Sequence, residues 1–116
     1  MGGREKYRVL LEDADVRRWY RNVARGSKVT ADVYLRRLGS FCEKFHITPK
    51  EFVSKSEDEI YSLILDMVSM MEDEYAGSYI QSIVKALKSW LAHNGIEIKR
   101  KIKVRGAQDT PSLKEE

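Results

Sequence analysis

Ser27 to Phe45, SKVTADVYLRRLGSFCEKF, combines a helix start, an apolar stripe and a group of cations in one stretch. Thr30 stands just before the first periodic apolar residue. It is expected to be the N-cap, its side-chain oxygen accepting from an otherwise unpaired amide of the first turn. Tyr34, Leu38, Phe41 and Phe45 recur at helical spacing, flanked by Ala31, Leu35 and Cys42, which predicts one broad apolar face. Arg36, Arg37, Ser40 and Lys44 take the other face. A helix with an oily side for a core and a basic side for solvent suits docking on a phosphate backbone.

Upstream, Tyr7 to Leu11 read as a short apolar lead-in, after which Asp13 or Asp15 can cap a first helix. Val16, Trp19, Tyr20 and Val23 follow at helical spacing, with Arg17, Arg18 and Arg21 on other sides. Gly26 is expected to end this helix in the left-handed region. Downstream, the second helix should stop near His46, because Pro49 biases Thr48 away from helical geometry. Thr48 then caps a short helix, PKEFVS, with Phe52 and Val53 inward. Ser56 and Glu59 form a capping box for a third long helix, whose stripe is Ile60, Leu63, Ile64, Met67, Val68 and Met71.

A fourth long helix is expected to open at Ser78, with Ile80, Ile83, Val84, Leu87, Trp90 and Leu91 inward and Ser78, Gln81, Lys85, Lys88 and Ala92 opposite. His93, Asn94 and Gly95 give its stop signal. The pattern then changes to IEIKRKIKV, alternating apolar and basic, which reads as an extended segment or a short strand. The domain plan is a lead-in over 1–10, a helical domain over 11–95, a basic linker over 96–105 and a polar tail over 106–116.

A chain of 116 residues suits one domain with a small core. Hydrophobic residues make up 42% and no apolar run approaches the roughly 20 residues of a membrane span, so no membrane association is expected. One cysteine allows no internal disulfide, and MGGREKYRVLL lacks a secretory signal, which points to the cytoplasm. Charge is laid down in blocks. Residues 1–50 hold twelve Lys or Arg against six Asp or Glu, a net +6; residues 51–74 hold one against eight, a net −7. Residues 75–105 hold seven against one, a net +6. If the two basic blocks meet in the fold, the molecule has a cationic face suited to nucleic acid and an anionic third helix turned away from it. If they do not, the charges are solvated surface.

No catalytic constellation is present. His46 and His93 sit near helix ends, where the helix dipole explains them, and Cys42 lies on an apolar face. No metal or cofactor is expected. The candidate DNA contacts are Arg36, Arg37, Lys85 and Lys88, joined by Lys28, Lys99, Arg100 and Lys101. Thr30, Tyr34, Ser78, Tyr79 and Gln81 can add hydrogen bonds.

A GSKVT start, ADVYLRRLGSFCEKF, the acidic IYSLILDMVSMME helix and SYIQSIVKALKSWLAHNGI together resemble the N-terminal core-binding domain of tyrosine recombinases and phage-type integrases, of the archaeal kind. Thr30 and Tyr34 match the Thr that opens the second helix and the Tyr four residues on. Leu38 and Phe41 match the apolar pair of the same face, and ALKSWL matches the end of the last helix. The resemblance spans about Leu11 to Val104. It implies an all-α, four-to-five-helix, SAM-like orthogonal bundle with an extended basic linker. The second and fourth long helices would clamp double-stranded DNA. TPSLKEE is similar to the start of the family's catalytic domain. The resemblance therefore also implies a fragment that is not itself an enzyme, monomeric alone, whose parent breaks and rejoins DNA as an oligomer. A helical protein-interaction module, using Met70 and the acidic helix, is the alternative.

Overall fold

Local side-chain chemistry sets most of the helix boundaries. In the computed structural model, which describes residues 7 to 106, a short 3-10 helix (Arg8–Glu12) leads into five α-helices. These are α1 (Ala14–Gly26), α2 (Lys28–Phe45), α3 (Pro49–Val53), α4 (Glu57–Met71) and α5 (Gly77–His93). The described residues are all-helical apart from their connections, as the periodicity predicts. No helix among them is long and apolar enough to cross a membrane. The predicted tail beyond Gly106 and the first six residues of the lead-in lie outside the described residues.

Asp13 caps α1, its carboxylate accepting from the amides of Asp15 and Val16. Both α3 and α4 open with full capping boxes, Thr48 with Glu51 and Ser56 with Glu59, each satisfying two amides reciprocally. Three boundaries differ from expectation. The N-cap of α2 is Ser27, whose Oγ accepts from the Thr30 amide, so Thr30 lies inside the first turn. Gly26 is the last helical residue of α1. The left-handed position falls instead at His46 (φ 57), where the backbone N–H reaches back to the Cys42 and Glu43 carbonyls. Ser78 does not cap α5: the helix begins one residue earlier behind Ala76, whose carbonyl accepts from Tyr79 and Ile80, with no side-chain cap. Residues 96–104 form no helix and no strand with the other described residues; the chain bends at Arg100 and turns at Arg105 and Gly106.

The helices bury one continuous core, built from Val16 and Trp19 of α1, Leu35, Leu38 and Phe41 of α2, Phe52 of α3, Ile60, Ile64 and Met67 of α4, and Ile80, Ile83, Leu87 and Leu91 of α5. Trp19 and Trp90 meet edge to face, with centroids 5.3 Å apart, at the junction of the first and last helices. Both indole N–H groups are satisfied: Trp19 donates to Ser89 Oγ at 2.9 Å and Trp90 to the Pro49 carbonyl at 3.1 Å. The second bond ties α5 to α3. Lys50 of α3 in turn pairs with Asp15 at 3.0 Å, joining α3 to α1. On α2 the buried stripe is centred on Leu35, Leu38 and Cys42, whereas Tyr34 and Phe45 are half-buried at its edges. That shift leaves Tyr34 at the edge of the stripe, stacked on Trp19 of α1.

A candidate nucleic-acid interface

The seam between α2 and α5 brings a cation from the first basic block against the second. Thr30, Tyr34, Arg37 and Phe41 fall on one flank of α2, since three- and four-residue steps return to the same side of a helix. Arg37 crosses the seam, its Nε donating to Ser82 Oγ at 3.0 Å. Its guanidinium carbon lies 4.7 Å from the centroid of the Tyr79 ring. Ser82 Oγ is fixed in turn by donating to the Tyr79 carbonyl at 2.6 Å, and Tyr79 stacks on Tyr75. Tyr34 is stacked on Trp19 of α1, whose indole donates to Ser89 of α5, so α1 bridges α2 and α5 beside this flank.

Lys85 stands one helical turn from Ser82 and is exposed, as are Lys88 and Ser78; Gln81 is half-buried. Lys85 and Lys88 make no ion pair or hydrogen bond with any described residue. Lys88 lies on the far side of α5, where it shares a depression with Leu91, Ala92, Ile96, Glu97 and Ile98. Arg36 separates from its neighbour: consecutive residues on a helix diverge by about 100°. It therefore lies on the outward stripe of α2 with Val29, Val33, Ser40 and Lys44. Val29 is 73% exposed there, an apolar side chain with no core role.

Two further candidates, Lys28 and Arg100, are held internally, as is Arg105. Lys28 pairs with Asp32 at 3.3 Å and donates to the Tyr20 hydroxyl at 3.3 Å. Those contacts, Tyr20 first and Asp32 second, raise the lysine above its ordinary range. Arg100 pairs with Asp58 at 2.6 Å and covers the Tyr61 ring at 4.2 Å. Arg105 pairs with Asp73 at 2.9 Å. The basic segment thus lies along the acidic helix α4 rather than extending the α2–α5 surface. Its alternation buries Ile98, half-buries Ile102 and Val104, and leaves Lys99, Lys101 and Lys103 pointing outward.

Ser82, which meets Arg37 of α2, and Ser89, which meets Trp19 of α1, are the α5 residues that periodicity alone did not single out. Serine on a predicted polar face reads as solvated unless the crossing partner is known; the only local signal was their seven-residue spacing on one side of α5. Among the described residues no three His, Cys, Asp or Glu side chains converge as a metal site. Comparison with protein-family models, curated proteins and solved structures finds no match to the chain.

Proposed function

We propose that this chain binds duplex DNA as the core-binding domain of a site-specific recombinase or integrase, gripping the phosphate backbone without catalysing strand exchange itself. The observation that carries this reading is the α2–α5 seam. Arg37 is locked there against Ser82 and Tyr79, with unpaired Lys85 one turn away. A cation fixed in place loses less side-chain freedom on meeting a phosphate than a mobile one does. Arg36, with Val33 and Ser40 on the same outward stripe, adds groups able to meet base edges or thymine methyls in a groove.

Titration of a labelled duplex at stepped salt tests the reading. Phosphate contacts from Arg36, Arg37, Lys85 and Lys88 alone give a slope of about −3.6 in log affinity against log salt, at about 0.9 per phosphate, and any further cation that reaches the backbone steepens it. Lys85→Glu with Lys88→Glu should remove most binding while leaving the thermal unfolding midpoint unchanged, because both side chains are exposed. Absence of binding at low salt in the unmodified chain sinks the proposal.

The second reading, a helical protein-interaction module, is favoured by one observation: Met70 is 55% exposed on α4 beside Asp66 and Asp73. Amide shifts clustered at residues 57–75 on adding a protein partner, with none at the seam on adding duplex, would select it.

A further inference from the structure

Arg100 and Arg105 are held at opposite ends of α4. Asp58 lies in its first turn, and Asp73 lies just past its last residue. From Asp58 to Asp73 the helix rises about 22 Å at about 1.5 Å per residue. From Arg100 to Arg105 the chain reaches at most about 16 Å at about 3.3 Å per residue, and the arginine side chains span the difference. The segment therefore lies alongside the whole helix, and α4 presents carboxylates to it at both ends as a phosphate backbone would.

The hold is uneven. Ile98 is buried and fixes the start of the segment. Beyond it, no backbone-to-backbone hydrogen bond secures residues 99–106 among the described residues. Ile102 and Val104 are only half-buried against the core, and apart from the two arginine pairs the one side-chain bond, from the Tyr61 hydroxyl to the Lys101 carbonyl at 3.0 Å, is exposed. Both arginine pairs face solvent: the side chains of Arg100 and Asp58 are 48% and 87% exposed, those of Arg105 and Asp73 67% and 83%. Exposed pairs of this kind are weak and screened by salt. The competing ligand is far denser in charge. Asp58, Glu72 and Asp73 are the carboxylates that hold the segment over those 22 or so ångströms, whereas duplex DNA carries about one charge per 1.7 Å.

We infer that residues 99–105 are a strap that duplex DNA draws off α4, converting Arg100 and Arg105 from internal partners of Asp58 and Asp73 into phosphate ligands beside Lys99, Lys101 and Lys103. This rests on the DNA-binding reading above. α4 acts as an internal decoy: it keeps Arg100 and Arg105 engaged until a longer polyanion competes for them. Ile98 stays buried and serves as the pivot.

Salt-stepped duplex titration of three variants tests the strap. Arg100→Ala with Arg105→Ala should lower the magnitude of the salt slope by about 1.8, two phosphates at about 0.9 each. Asp58→Asn with Asp73→Asn, which removes the two shortest pairs of the decoy and leaves only Glu72 at 3.9 Å from Arg105, should tighten binding by about three- to tenfold at low salt. Glu57→Gln with Glu74→Gln makes the same charge change at carboxylates that hold no basic side chain among the described residues, and should tighten binding by less than about twofold. If the unmodified chain binds duplex but its slope is unmoved by the arginine changes, or both acidic pairs act alike, the strap is overturned and the DNA reading stands. If the unmodified chain binds no duplex at low salt, both fall together.

Discussion

Arg37 of α2 and Ser82 of α5, 45 residues apart, are joined by a 3.0 Å hydrogen bond in which the guanidinium also covers the Tyr79 ring. A charged donor meeting a neutral hydroxyl contributes about 1.5–3 kcal/mol when well shielded and less at a half-buried seam. The ring contact adds about 0.5–1 kcal/mol. Arg37→Lys keeps the charge but loses the Nε donor and the flat stacking surface. It should lower stability by about 1 kcal/mol, read as a shift in the urea midpoint. Duplex affinity should fall less than in Arg37→Ala. Equal loss of affinity in the two variants would mean that position, rather than charge, carries the contact.

Gly39 lies in the middle of α2 under the Tyr7 ring, so closely that an added Cβ would overlap ring carbons. The Tyr7 hydroxyl donates to Glu43, one turn along, at 2.6 Å. Gly39→Ala gains about 1 kcal/mol of helix propensity and loses a comparable amount of packing. Global stability should therefore change little, while the 3-10 helix at Arg8–Glu12 lifts off. Limited trypsin digestion checks this: cleavage after Arg8 should quicken in the variant with no faster cutting inside α1 to α5.

Cys42 is buried on α2, and that burial, with a smaller push from the Glu51 carboxylate, raises its thiol from 9.0 to about 12. A thiol reagent at pH 8 should react with the native chain only as fast as it unfolds. The folded pKa lies above the unfolded one, so the folded state holds its proton longer. Stability is unaffected below about pH 9 and falls as pH rises from there towards about 12. Cys42→Ala should flatten that alkaline decline in urea titrations run at stepped pH.

Asp15 is held below its ordinary 3.8 chiefly by the hydrogen bond from Lys50, and Lys50 is raised above 10.5 by the same bond. Because the Asp15 value is depressed on folding, its contribution is present above pH 3.8 and is lost as pH falls through the lower folded value. Carbon-detected titration of the Asp15 carboxyl should find its midpoint below 3.8 in the unmodified chain and moved back towards 3.8 in Lys50→Met. An unmoved midpoint would assign the shift to Arg18 instead.

The parts legible in the sequence were those encoded within a few residues. Thr48 with Glu51 and Ser56 with Glu59 announce their helices because both partners of each capping box sit three positions apart. The inward stripe of α5 was readable from Ile80 to Leu91 because burial there follows one uninterrupted period. Thr30 misled because Val29, though apolar, is exposed, so the true cap at Ser27 sits before a residue that contributes nothing to the stripe. Ala76 could not be found, since it caps only with its backbone. The site was harder. Arg36 and Arg37 look equivalent in sequence, and only the crossing partner assigns one to the seam and the other to the outward stripe. Likewise, the pairing of Arg100 with Asp58 joins blocks that charge counting assigned to opposite faces, because composition says which signs are present and not which segments touch.

The edge-to-face pair of Trp19 and Trp90 gives the molecule a built-in optical gauge. One ring comes from the first helix and the other from the last, so their 5.3 Å separation exists only when both ends of the bundle have closed. The coupled near-ultraviolet dichroism of two indoles at that distance reports completion of the whole chain rather than formation of any single helix. Since the strap lies on α4, away from both rings, its release should leave that signal in place, which separates loss of the strap from loss of the fold.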